Sequence, residues 1–115
     1  SDRSAEKSSY MILVIDGAEP DKKYENKSYI DTQKLGIKGI TLTERLLLGR
    51  WYFWRAGKHL DIKYLTRCDG SRDYRGYPPD VYFEKRSSEL VIFRHPPNIR
   101  DPRLRVREVV SANNI

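Results

Sequence analysis

The first regular signal along the chain is the apolar run Tyr10-Met11-Ile12-Leu13-Val14-Ile15, closed by Asp16-Gly17. Its length and β-branched content predict a buried strand followed by a turn. Residues 18–28 are polar and predict a loop, and over 29–40 Gly36 and Gly39 interrupt any regular element. Thr41-Leu42-Thr43-Glu44 then has the form of a capping box, a hydroxyl at the N-cap and a carboxylate three residues on. The helix it opens is predicted to run from Leu42 to Ala56 and to stop at Gly57. Its apolar positions, Leu42, Leu46, Leu47, Trp51, Phe53 and Trp54, spread wider than one stripe, which predicts a largely buried helix, in part against a partner.

Beyond it, Asp61 to Thr66 alternates as a strand does, and residues 69–79 are built from turn formers. Val81–Glu84 and Leu90–Phe93 flank a polar turn and predict a hairpin that His95-Pro96-Pro97-Asn98 ends. Asp101-Pro102 has the form of a helix start, and Val106, Val109 and Val110 follow at i, i+3, i+4. This favours a short helix over 102–112, with a strand as the rival because Leu104, Val106 and Val110 also alternate. Together these elements predict an α+β fold: a small antiparallel sheet packed on one central amphipathic helix, with a short C-terminal helix. Residues 1–9 are expected to be a disordered tail, and 10–115 a single domain.

Composition limits what such a domain can be. Of 115 residues, 38% are hydrophobic and 33% charged, enough for one modest core. The one cysteine, Cys68, excludes an internal disulfide and suits a reducing compartment. No apolar run approaches the roughly 20 residues that span a bilayer. The Tyr10–Ile15 run lacks the basic flank and cleavage site of a signal peptide. A cytoplasmic location without a membrane partner is expected, and homo-oligomerisation is compatible with the sequence.

Charge sharpens the picture. Residues 1–40 carry seven Lys/Arg and seven Asp/Glu, whereas 41–115 carry fifteen against nine, which accounts for the whole net charge of +6. Twelve of those fifteen are Arg. Arg grips phosphate or carboxylate with two parallel hydrogen bonds and stacks on aromatic faces, so its prevalence points to an anion-binding face. The plainer reading is solvated charge.

Two segments concentrate the candidates. The 69–79 loop holds Arg72 and Arg75 beside Tyr74 and Tyr77, and the C-terminal segment holds Arg100, Arg103, Arg105 and Arg107 within eight residues. These six arginines are the expected phosphate contacts, with Trp51, Trp54, Tyr74 and Tyr77 as stacking surfaces. Against that, the helical Trp residues also suit a core, and a loop's tyrosines can fold back on the body.

Catalytic signals are weaker. Asp61 and Lys63 would share a strand face, as in a metal-dependent nuclease, but partner carboxylates (Asp31, Glu44) lack a motif. Cys68 beside Arg67, with His59 or His95 near, could form a thiolate pair. Two His and one Cys are too few for a structural zinc site. No catalytic residue, metal or cofactor is assigned. The sequence therefore predicts a non-enzymatic binding module for a phosphate-bearing ligand, above all nucleic acid. The alternatives are a nucleotide or small phosphorylated ligand in an Arg pocket, an interaction or inhibitor factor docking on an acidic protein, and a metal-dependent nuclease.

Overall fold

A computed structural model of the chain describes residues 1–6, 10–15 and 17–111. In chain order the elements are β1 (Ile12–Val14), a 3-10 turn (Lys22–Tyr24), α1 (Tyr29–Lys34), α2 (Leu42–Ala56), β2 (Leu65–Arg67), β3 (Pro79–Glu84), β4 (Glu89–Arg94), β5 (Leu104–Val106) and β6 (Val109–Ser111). The fold is α+β, with one main helix, a short one and two sheets. β1 and β6 form an antiparallel ribbon, and the larger sheet has the order β4-β3-β2-β5. That sheet is mixed rather than purely antiparallel, because β2 and β5 run parallel, Thr66 opposite Arg105.

Local chemistry explains the helix. Thr41 Oγ1 accepts from the Glu44 N–H at 3.1 Å, and Glu44 Oε1 accepts from the Thr41 N–H at 2.8 Å. Gly57 ends the helix at φ 68°, where a residue with a Cβ is disfavoured. A second capping box, Ser28 with Asp31, starts α1 in the stretch that the glycines made ambiguous.

The C-terminal helix expected over 102–112 is not formed; its last residue, Ala112, lies outside the described residues. Asp101 uses its carboxylate for a turn instead: Oδ1 accepts from the Arg103 N–H at 2.8 Å, and the Leu104 N–H returns to the Asp101 carbonyl at 3.0 Å. The valines that fit a helical period then serve two strands. Leu104 and Val106 are buried in β5, and in β6 Val109 faces in while Val110 faces out. Parallel pairing with a distant β2 decides between two periods that the local pattern allowed.

The strand expected from Asp61 shrinks to Leu65–Arg67. Asp61 adopts a positive φ of 58°, so residues 61–64 turn and Asp61 and Lys63 do not share a strand face. The turn expected at Asp16-Gly17 involves Asp16, which lies outside the described residues.

The apolar core is small. Ile40, Cys68, Val81 and Val109 are buried, with Ile12, Val14, Leu42 and Leu48 packed on them. It therefore sits between the ribbon, the first half of α2 and the centre of the larger sheet. The helix reverses the expectation for its faces: Glu44 and Arg45 are buried, while Leu47, Trp51, Phe53 and Trp54 are exposed by 63%, 45%, 48% and 81%. Interior polar groups explain the inversion. Residues 1–6, expected to belong to a mobile tail, lie against the body: Arg3 grips Glu44 through Nε at 2.8 Å and Nη2 at 2.9 Å. Lys7, Ser8 and Ser9 lie outside the described residues.

Candidate functional site

Three ionic clusters organise the interior. Asp61 takes Arg45 Nε on one oxygen and Arg107 Nη2 on the other, each at 2.7 Å, and the Thr66 hydroxyl adds a third bond at 2.6 Å. Arg107 also donates to Thr66 Oγ1 at 2.9 Å and to the Gly17 carbonyl at 3.1 Å. Arg67 holds Asp69 with both arms of its fork, and Thr32 bonds Asp69 at 2.6 Å. Burial pushes the Asp69 carboxyl up while Arg67 holds it down, and the first influence prevails. His95 Nδ1 meets Asp80 Oδ2, and the other Asp80 oxygen is buried without a partner among the described residues.

Burial raises the Asp80 carboxyl to about 6, against the pull of His95. The folded protein therefore keeps a proton that the unfolded chain releases as pH rises from about 4 to 6. The resulting stabilisation is present at low pH and lost on the way to neutrality. Asp80→Asn carries no such charge. Its stability relative to the native chain is expected to rise by about 3 kcal/mol between pH 4 and 7 in paired denaturant titrations. A difference that stays flat over that range would contradict the assignment.

Each of the six predicted phosphate contacts has a carboxylate partner inside the protein. Arg72 pairs with Asp2 and donates to the Asp69 carbonyl at 2.8 Å. Arg75 pairs with Asp73 at 2.9 Å and lies over the Tyr77 ring at 4.3 Å. Arg100 forks onto Asp31 at 2.7 and 2.8 Å, which holds that carboxyl well below its usual range. Arg103 pairs with Asp101 at 3.4 Å, and Arg105 with Glu25 at 3.3 Å. Arg107 belongs to the buried Asp61 cluster, so it serves the interior and not a binding face. Of the stacking candidates, Trp51 lies under Arg55 at 4.6 Å, Trp54 and Tyr74 stand in solvent, and Tyr77 is half-buried.

The catalytic alternatives lose their geometry. Asp61 is fully buried between two arginines and Lys63 is exposed. Burial drives the Cys68 thiol upward rather than lowering it, and His95 is bonded to Asp80. Among the described residues no cluster of His, Cys, Asp and Glu is arranged to hold a metal ion.

A different set of cations converges on one place. An open groove of about 840 Å³ is lined by Lys22, Lys23, Lys63, Lys85, Arg105 and His59, with Glu19 and Asp21 as its carboxylates among the described residues. Its walls come from four segments tied by backbone bonds. The Asp61 N–H donates to the Ala18 carbonyl at 2.9 Å, the Phe83 N–H to the Asp61 carbonyl at 2.9 Å, and the Asp21 N–H to the Val106 carbonyl at 3.1 Å. The turn at Asp61 presents Lys63, and the β3–β4 turn presents Lys85. Lys23 pairs with Glu108 at 3.4 Å; Lys22, Lys63 and Lys85 form no ion pair among the described residues.

Arg105 lies deeper, its guanidinium 3.8 Å from the Tyr64 ring and its Nε buried without a hydrogen-bond partner among the described residues. His59 is stacked between Phe53 and Phe83, at 4.5 and 3.6 Å. Asp21 is partly withdrawn: it accepts from the Glu108 N–H at 2.8 Å, and burial raises its carboxyl.

Of this set the sequence had singled out only Arg105 as a phosphate contact. The lysines come from three turns with no common spacing, so no periodic signal marks them. Among the described residues no helix is long and apolar enough to cross a membrane. Comparison with protein-family models, with curated proteins and with solved structures finds no match to this chain.

Proposed function

We propose that this protein is a nucleic-acid-binding module whose phosphate-contacting surface is the lysine groove. The observation that carries the reading is the convergence of five cations on one open groove, three of them without a carboxylate partner among the described residues. Unpaired lysines in a concave site raise the local potential and attract a polyanion. Openness to solvent suits a chain of phosphates better than a single enclosed nucleotide. The walls are fixed by backbone hydrogen bonds, so the cations are positioned before a ligand arrives. The exposed pairs Arg75–Asp73, Arg100–Asp31 and Arg103–Asp101 are cheap to open and can join at the margins.

Titration of a labelled duplex oligonucleotide against salt tests the reading. Four to five phosphate contacts give a slope of log affinity on log salt of about −4. Absence of binding at low salt would remove nucleic acid as the ligand.

A further inference from the structure

We infer that the protein self-associates through β4, two copies pairing antiparallel along this strand to join their larger sheets. β4 is the end strand of the β4-β3-β2-β5 sheet, and its outer edge has no strand beside it among the described residues. Edge strands in natural proteins are usually blunted by proline, a bulge or a charge in the middle of the strand. The sequence Glu-Leu-Val-Ile-Phe-Arg has none of these in its four central positions. Leu90, Ile92 and Phe93 are 47%, 43% and 48% exposed, so apolar side chains project on both faces of an open edge.

The charges at the two ends say what covers it. Glu89 lies directly opposite Glu84 on β3, and neither carboxylate has an ion pair among the described residues. Like charges opposed across a ladder are destabilising, and a cation at that end relieves them. At the other end, Arg94 has only a distant share of Asp73, at 3.6 Å, because Asp73 is held at 2.9 Å by Arg75. A second copy running antiparallel brings the partner's Arg94 to the Glu84–Glu89 end, and by symmetry Arg94 to the partner's glutamates. Parallel pairing would set Glu89 beside the partner's Glu89. A two-fold axis between the two β4 strands, level with their middle, sets the central apolar residues of one copy against those of the other and closes the assembly at two copies.

Sedimentation equilibrium over roughly 10 μM to 1 mM tests this. The mass should rise from 13.6 kDa toward twice that value. Ile92→Lys, at a half-exposed position, should keep the protein monomeric throughout. Glu89→Arg and Arg94→Glu alone each oppose like charges and should weaken association about tenfold. The double swap should restore it to within about threefold, because the ends again match. A native chain that stays monomeric would overturn the inference. So would a dimer that survives Ile92→Lys, or a double swap no better than either single one.

Discussion

Asp61→Ala is expected to cost about 3–5 kcal/mol of folding stability, the effect of removing one partner from a buried ionic cluster. Arg45 and Arg107 have side chains 2% and 1% exposed, and Asp61 is the carboxylate that both share. Without it, two guanidiniums face each other out of water. The loss is a large part of the about 5–15 kcal/mol that holds an ordinary domain together. In a domain of this size it lowers the thermal midpoint by roughly 15–30 °C.

Asp61→Asn separates the contributions. Asparagine tolerates the positive φ of 58° at this position, keeps one oxygen as an acceptor and lacks the charge. It should be destabilised in the same direction but by less, about 2–3 kcal/mol. Chemical denaturation of the three proteins measures the series. A loss under about 1 kcal/mol for Asp61→Ala would contradict the structural role given to the cluster.

That cluster also shows where sequence pattern stops being informative. The limits of α2 were legible because a capping box and a C-terminal glycine act within one turn of the helix. The β3–β4 hairpin and the presence of β1 were legible because turn chemistry and β-branched runs are local too. But β1 is not the buried strand expected: Met11, Leu13 and Ile15 are more than half exposed, because the strand forms a two-stranded ribbon with one face open. Which face of α2 turns inward was not legible. Arg45 goes inside because a carboxylate waits there, sixteen residues away in the chain. Hydrophobicity alone would have buried Trp51 and Trp54.

The arginines carry the same lesson. Their abundance pointed to an anion-binding face, but the anions nearest to hand are the protein's own. Arg100 finds Asp31 across sixty-nine residues, and Arg107 finds Asp61 across forty-six. No spacing rule reaches that far. In the groove, Lys22, Lys63 and Lys85 form no ion pair among the described residues. Their convergence depends on the turn at Asp61, on the β3–β4 turn and on the 3-10 turn at Lys22–Tyr24 being folded against one another.

Removing three of these cations tests the central claim most directly. Lys22, Lys63 and Lys85 line the groove and have no carboxylate partner among the described residues, so replacing them breaks no ion pair that supports the fold. If they contact phosphates, each contributes close to one unit to the salt slope and nearly tenfold in affinity near 0.1 M salt. The triple variant Lys22→Ala, Lys63→Ala, Lys85→Ala should lose about 10²–10³-fold in affinity for a duplex oligonucleotide and flatten the slope by about 3. The matched variant Arg75→Ala, Arg100→Ala, Arg103→Ala removes the same formal charge from residues already paired with aspartates, and should change the slope by less than about 1. The two variants, titrated side by side with the native protein, give opposite answers for the two candidate surfaces. A large loss confined to the lysine variant is the result predicted here; an equal loss in both, or a loss confined to the arginine variant, would contradict the groove as the binding surface.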